Sequence, residues 1–180
     1  MLKRLTLVLA FALAACSGND IKDFRAAEPK LDIREYFTGR LVAFGTVTNY
    51  KGEVTDRLFV EMDGSWQGNS GQLKEHFRYS DGTIEDRTWR LTVSDDGKLV
   101  TGKREDVIGE AKGEQEGNAL FMKYTIKRSH KGDTAEEFTA DDRFYLIDGP
   151  YLTNEIRLKK YGVTVSTVNL GFHRLNEFIN

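Results

Sequence analysis

Cys16 is the residue whose type and setting point most directly to chemistry. It is the single cysteine of the 180-residue chain, and it follows Leu13, Ala14 and Ala15. Small residues at positions 14 and 15 let the backbone enter a narrow protease cleft, so this tetrapeptide is typical of a lipobox that is cut just before its cysteine. The thiolate is the nucleophilic form of cysteine and would receive a diacylglyceryl group, after which the freed amine can take an acyl chain such as palmitate. The sequence therefore predicts lipidation at Cys16.

Five residues farther along the chain are candidates for lining a ligand cavity. Trp66, Trp89 and Tyr124 are large aromatic side chains within runs of alternating hydrophobicity. Glu75 and Arg87 share the inward-facing parity of their runs, so they are the sequence's one indication of a polar group inside the fold. Further aromatic candidates are Phe144 and Phe172. Such aromatics more often form an ordinary core, and the sequence favours that interpretation over a ligand cavity.

The side chains that bind metals or act as nucleophiles are sparse in this sequence. His76, His130 and His173 are far apart, and their spacing matches no zinc or iron site. No Gly-x-Ser-x-Gly nucleophile motif is present. We therefore expect no metal, no cofactor and no enzymatic activity.

Two carboxylate pairs, Glu136-Glu137 and Asp141-Asp142, could serve acid–base chemistry. Neighbouring residues of a strand point to opposite faces, however, so adjacency alone does not bring two acids into one site. We expect these four residues to be solvated at turns and edges. Asp95-Asp96-Gly97 is explained by a hairpin turn rather than by a calcium site.

The N-terminus predicts secretion. Lys3 and Arg4 precede an apolar run over residues 5–15, which is shorter than the roughly 20 residues that a spanning helix needs. Ser17, rather than Asp, follows the cysteine, as in lipoproteins that are sorted to the outer membrane. We expect three parts: residues 1–15 as signal peptide, residues 16–36 as lipidated cysteine and tether, and residues 37–180 as a β-barrel domain. The polar residues 17–30 would give a flexible tether a reach on the order of 20 Å.

Composition limits the partners and the size of the fold. The formal net charge is −2, from 26 basic and 28 acidic residues, and no basic cluster stands out. Nucleic acid is an unsuitable partner for such a chain, because phosphate binding depends on Lys and Arg. With one cysteine there is no disulfide, so stability must come from a core, and about 165 mature residues suit a single domain.

Residues beyond 37 alternate with a period of two, which is typical of strands with one buried face. Leu120, Met122, Tyr124 and Ile126 give the clearest example, and glycine-containing turn signals separate the runs. The apolar parity changes within residues 163–172, which predicts a bulge near Ser166-Thr167. Glycines at 109, 113 and 117 indicate a sharply bent strand. We count eight to ten antiparallel strands, which would hide their edges by closing into a barrel.

Several motifs resemble those of a known family. They are Phe37-Thr-Gly39, Gly64-Ser-Trp66, residues 106–119 and residues 144–148, together with the lipobox. The chain is similar in these stretches to small proteobacterial envelope lipoproteins grouped as domain of unknown function 3833. The resemblance implies an all-β, lipocalin-like barrel and brings no catalytic residues.

The sequence leaves two functional hypotheses of different classes, with an enzyme as a third. The first is a membrane-anchored periplasmic barrel that binds a hydrophobic or amphipathic molecule or supports envelope maintenance. The second is a protein-interaction or assembly module of the outer membrane. The second hypothesis depends on Phe59 and Phe121, which lie out of phase with the apolar faces of their strands.

Overall fold

The computed structural model describes residues 19–128 and 134–175, and the predicted signal peptide and Cys16 lie outside this range. Ten β-strands follow two short helical turns. The turns are a 3-10 helix over Ile21–Phe24 and a helix, α1, over Ile33–Tyr36. The strands are β1 (Gly39–Asn49), β2 (Val54–Gln67), β3 (Ser70–Tyr79), β4 (Ile84–Val93), β5 (Leu99–Lys103), β6 (Val107–Glu116), β7 (Ala119–Arg128), β8 (Glu136–Asp148), β9 (Tyr151–Lys160) and β10 (Val163–Arg174). No helix within the described part of the chain is long and apolar enough to cross a membrane.

The ten strands form one closed antiparallel barrel. Each strand pairs with the next along the chain, and β1 pairs with β10, with Leu41 opposite Arg174 and Asn49 opposite Ser166. Closure gives every strand two neighbours, although β5 is short and pairs only with Arg90–Val93 of β4, and this pairing removes most of the free edge that favours aggregation. The expected all-β, lipocalin-like barrel of eight to ten strands is confirmed.

Alternation decides which side chains enter the barrel. Leu120, Met122, Tyr124 and Ile126 of β7 are buried, while Lys123 between them is exposed. The same pattern holds along the other long strands, and their inward residues join into one apolar core. Burial of this continuous face is the main force that holds the barrel together.

Two irregularities bend the sheet where the sequence predicts them. On β10, Thr164 lies opposite Lys159 and Ser166 opposite Leu158, so Val165 is an extra residue in the ladder. This bulge is one position before the predicted one and explains the change in apolar parity. On β6 the pairing with β7 shifts after Ile108, beside Gly109 with its φ of +74°.

Residues 20–38 form a cap over one end of the barrel. Ile33, Tyr36 and Phe37 are buried against the core, and the side chains of Asp20 and Asp32 accept hydrogen bonds from the first turns of the 3-10 helix and of α1. The expected flexible tether over residues 17–30 is therefore wrong for its described part. The physical reason is that apolar side chains in this segment have barrel surface to cover.

The cap is attached to three of the turns at this end. The Leu31 amide donates to the Gly117 carbonyl at 2.8 Å, Arg34 Nη1 donates to Asn69 Oδ1 at 2.8 Å, and the Tyr36 hydroxyl donates to the Pro150 carbonyl at 2.8 Å. We call this the closed end. The opposite end carries the turns that follow β1, β3 and β9 and is open.

Candidate ligand cavity

A narrow cavity runs along the inside of the barrel. Its volume is about 100 Å³, its floor is formed by Ile33 and Phe37 of the cap, and its upper part is formed by Tyr79 and Arg128. Most of its lining is apolar, including Leu58, Leu73, Phe77, Leu91, Leu120, Met122, Ile126, Phe144, Ile156, Leu158, Val168, Leu170 and Phe172. The inside of the barrel is thus well packed along its walls and retains a thin central space.

A wider opening of about 650 Å³, which we call the mouth, lies above this cavity. The mouth and the cavity share Val47, Tyr79, Arg128 and Leu158, so the two spaces are neighbours. The mouth is also lined by Thr55, Asp56, Asp81, Thr83, Glu85, Thr134, Glu136, Phe138 and Ser166. A molecule entering the barrel from the open end would pass this opening first.

Four of the five predicted cavity residues line the cavity: Glu75, Arg87, Trp89 and Tyr124. Trp66 is not among the lining residues. Its ring lies across Gly71 on β3, where an added Cβ would come within 2.3 Å of the indole. Trp66 keeps the inward parity of β2, but it covers the sheet near the closed end and does not line this cavity.

A guanidinium group with two carboxylate partners lies on one wall. Arg104 Nε donates to Asp106 Oδ1 at 2.6 Å, and its Nη1 lies 3.5 Å from Glu75 Oε2. The same guanidinium stacks on the Trp89 indole at 4.5 Å. Burial opposes ionisation of Asp106, but the nearby Arg104 outweighs it and lowers the pKa of that carboxyl.

A second buried group is centred on Asp142 of β8. The Tyr124 hydroxyl donates to Asp142 Oδ2 at 2.7 Å, and Asn154 Nδ2 donates to Oδ1 at 2.5 Å. The Tyr124 ring also makes an edge contact with Trp89, with centroids 5.4 Å apart. Both partners of the Asp142 carboxyl are uncharged.

Burial changes the acidity of these groups. It raises the pKa of Asp142 to about 7, because it outweighs the hydrogen bonds from Tyr124 and Asn154 that favour the ionised form. It also raises the pKa of Glu75, against the attraction of Arg104, and it raises the pKa of Tyr124, with Asp142 adding to the effect. Carboxyls with raised pKa values inside a cavity are a frequent mark of functional sites.

The upper part of the cavity holds two further arginines. Arg87 Nη2 and Arg128 Nη2 donate to the Tyr79 hydroxyl at 3.0 and 3.1 Å. Glu85 forms an ion pair with Arg87 and lies 3.8 Å from Arg128. This network joins β3 and β4 to β7 just below the mouth.

The structure corrects the expectation that the carboxylate pair at 141 and 142 is solvated. Asp141 is 7% exposed and Asp142 is 3% exposed, and they point to opposite sides of β8. Asp141 faces outward between Arg143 and Lys159, each with a nitrogen 3.0 Å from it. Asp142 has the inward parity of Ala140 and Phe144, so the alternation along β8 could have identified it.

Asn154 and Arg104 also line the cavity but were not predicted from the sequence, for different reasons. Asn154 has the inward parity of Leu152 and Ile156, and its polar type hid that signal. Arg104 follows β5 in a turn, where no period applies, and only the tertiary fold brings it over Trp89.

The outward aromatics differ in their surroundings. Phe121 is covered by Phe24 of the cap, with ring centroids 5.5 Å apart. Phe59 is partly buried beneath the Arg78 guanidinium at 4.9 Å. Phe44 lies opposite Phe59 in the ladder and is 54% exposed. Phe121 therefore no longer supports an interaction surface, whereas Phe59 and its exposed neighbour Phe44 still do.

The described residues, 19–128 and 134–175, include two of the three histidines, His76 and His173. No group of three or more His, Cys, Asp or Glu side chains in these ranges is arranged to hold a metal ion. His76 instead lies 2.7 Å from Asp86 on the outer face, and His173 stacks on Tyr151.

The closed ten-strand barrel with its interior cavity places the chain among lipocalin-like proteins. Residues 10–174 match the family described as a protein of unknown function (DUF3833), and the chain belongs to that family. A search of curated proteins found no significant match. Among solved structures, the S-type phycobiliprotein lyase of Guillardia theta is similar, with a TM-score of 0.57 over 82% of this chain and 94% of that chain at 8% sequence identity. A likeness at this identity is evidence about the fold.

Proposed function

We propose that this protein binds a hydrophobic or amphipathic small molecule inside its barrel, as a lipid-anchored protein of the bacterial cell envelope. The observation that carries the proposal is the cavity, whose apolar lining includes one polar wall and which lies beside an open mouth. Small-molecule sites are typically apolar with a few placed polar groups. Support of envelope maintenance would follow from carrying such a molecule.

The shape of the cavity favours a thin ligand. Its lining follows β7 from Leu120 to Arg128, which corresponds to about 26 Å of strand. A volume of about 100 Å³ along this length is below the roughly 300–1,000 Å³ of pockets for drug-sized molecules. A single hydrocarbon chain suits this space better than a broad, rigid ring system.

The cellular location of the protein is part of the proposal. The lipobox at Cys16 and the signal-like residues 1–15 support an anchored, periplasm-facing protein, and Ser17 supports the outer membrane. Two or more acyl chains on one cysteine make membrane attachment stable.

We propose binding rather than catalysis as the activity. The alternative of an enzyme would have to use Asp142, which combines a pKa of about 7 with a place in the cavity. The similar phycobiliprotein lyase shows that this fold occurs in an enzyme. An assembly module is the other alternative, and the exposed Phe44 beside Phe59 is the observation that favours it.

Native mass spectrometry tests the binding proposal. Protein purified from its own membranes should carry an additional mass that a solvent extraction identifies as a small apolar molecule. Val168→Phe should remove that mass, because Val168 lines the cavity and a larger side chain would fill it. Val163→Phe is the matched control on the same strand, since Val163 is 65% exposed. An unliganded wild-type protein, or equal retention by Val168→Phe, would contradict the proposal.

Cell fractionation tests the anchor. Cys16→Ser should move the protein from the membrane fraction to the soluble fraction, because it removes the sulfur that would carry the lipid. Ser17→Ala is the control and should remain with the membranes. The anchor is wrong if Cys16→Ser and the wild type fractionate alike.

A further inference from the structure

The charged groups of the cavity can be matched one against another. Three guanidinium groups line it, and four carboxyl groups either line it or contact those guanidiniums; they are Arg87, Arg104, Arg128, Glu75, Glu85, Asp106 and Asp142. Arg104 pairs with Glu75 and Asp106, and the two upper arginines share Glu85. Of these four carboxyls, Glu75 and Asp142 line the cavity itself, and Glu75 is paired with Arg104.

Asp142 is the carboxyl that remains. Among residues 19–128 and 134–175, no Lys or Arg nitrogen forms an ion pair with it within 4 Å, and its hydrogen bonds come from the uncharged Tyr124 and Asn154. A carboxylate offers about four acceptor positions on its two oxygens. Two of them are taken, so Asp142 keeps acceptor capacity on a side chain that lines the cavity.

The place of Asp142 in the barrel gives the ligand a direction. Its partners in the ladder are Met122 and Ile156, both apolar. Phe138 of the same strand lines the mouth, four residues away, which is about 13 Å of strand. A molecule whose polar end reaches Asp142 would extend its apolar part along Ile126 and Leu158 toward the mouth.

Building on the proposed function, we propose that Asp142 is the anchor for the polar end of the ligand, and that this end is a hydrogen-bond donor, an ammonium or a hydroxyl group. Either group donates to the free acceptor positions of the carboxyl. An ammonium would also form an ion pair with the ionised form of this carboxyl, which has no guanidinium or lysine partner among the described residues.

A carboxylate or phosphate end fits this cavity poorly. It would bring a further negative charge beside Asp142 and Glu75. To pair with Arg104, the guanidinium that acts on Asp142, it would have to displace Asp106 or Glu75 from an existing ion pair. Leaving a buried charge without its partner is strongly unfavourable.

A series of ten-carbon ligands with different polar ends tests the assignment. Decylamine, decanol and decanoate would compete with the uncharged fluorophore N-phenyl-1-naphthylamine for the purified protein. Decylamine and decanol should displace the fluorophore at concentrations at least tenfold lower than decanoate does. Asp142→Asn should reduce the advantage of decylamine over decanoate by at least tenfold. Asp141→Asn is the matched control, because this neighbouring carboxyl faces outward between Arg143 and Lys159.

A second variant covers the case in which Asp142→Asn does not fold. Tyr124→Phe leaves the Asp142 carboxyl in place and removes one of its two donors. The advantage of decylamine over decanoate should then be kept or increased, and a loss of that advantage would count against the anchor.

The outcomes separate this proposal from the one on which it rests. Decanoate binding as tightly as decylamine and decanol, or an unchanged ligand order in a folded Asp142→Asn variant, would overturn the Asp142 anchor and leave apolar binding in place. A protein that binds neither the fluorophore nor any of the three ligands would overturn both proposals.

Discussion

At the scale of single residues, Asp141 and Asp142 show how one step along a strand decides the chemistry of a carboxyl. Asp141 faces outward, where burial opposes ionisation but Arg143 and Lys159 hold the pKa of its carboxyl below the ordinary value. Asp142 faces the cavity, where burial raises the pKa to about 7. The two carboxyls should therefore affect the folding equilibrium in opposite directions as the pH changes.

The Asp142 carboxyl should make the protein less stable as the pH rises. The unfolded chain releases this proton near pH 3.8, whereas burial makes the folded protein retain it until about pH 7. Glu75 adds to this effect, and Tyr124, Asn154 and Arg104 oppose it. The stability that the protonated Asp142 carboxyl gives the folded state is therefore lost as the pH rises from about 4 to about 7. The total loss in the free energy of unfolding is on the order of 4 kcal/mol. Asp142→Asn lacks this loss, so its stability relative to the wild type should increase over that range in urea unfolding at a series of pH values.

Asp141→Asn provides the comparison with the opposite sign. Because the folded pKa of Asp141 is lowered, this carboxyl stabilises the folded state above its unfolded pKa, and the contribution is lost as the pH falls through the folded pKa. Asp141→Asn should thus become less stable relative to the wild type as the pH rises from acid to neutral. Parallel pH curves for the two variants would contradict this account of the cavity.

At the scale of elements, much of the fold follows from local pattern. The period-two runs of β4 and β7 correctly predict which of their residues are buried, and the change of parity within β10 locates its bulge to within one residue. Four of the five predicted lining residues were found by the same parity rule. Parity fails for Trp66, because it gives the direction of a side chain and not its height along the barrel axis.

The cap and Arg104 were beyond this kind of prediction. The cap has no helical period, and its few apolar residues acquire meaning only when the closed end of the barrel offers them a surface. Gly64 illustrates the fit, since an added Cβ there would come within 1.7 Å of the Phe37 carbonyl oxygen. Contacts of this kind join residues far apart in the sequence, and a single chain without known contacts does not reveal them.

The cap should be a structural part of the barrel. Ile33→Ala should lower the free energy of unfolding by about 2–5 kcal/mol, because Ile33 is 1% exposed and its loss leaves a hole in the cavity floor. The exposed Glu35 of α1 offers a control, since Glu35→Ala should change stability by about 0.5 kcal/mol or less. Chemical denaturation measures both values. Equal stability of the two variants would show that the cap is not packed as described.

At the scale of the whole molecule, the barrel has two different ends. The cap closes one end, and the mouth opens at the other. Under the proposed lipid anchor, four peptide steps from Cys16 to Asp20 reach at most about 14 Å. Because Asp20 begins the cap, this short connection would hold the closed end near the membrane and direct the mouth away from it.

The two tryptophans of the chain allow a direct test of whether an apolar molecule occupies the barrel. Trp89 lines the cavity, whereas Trp66 lies across Gly71 outside it. Titration with 1-bromodecane, a heavy-atom quencher, reports which indole lies near the bound chain. Trp66→Phe leaves Trp89 as the single emitter, and Trp89→Phe leaves Trp66.

We predict saturable quenching of Trp89 in the Trp66→Phe protein and little quenching of Trp66 in the Trp89→Phe protein. Adding Val168→Phe to the Trp66→Phe protein should abolish the effect, because it fills the same space. Equal quenching of both tryptophans, or none for Trp89, would contradict ligand binding inside the barrel.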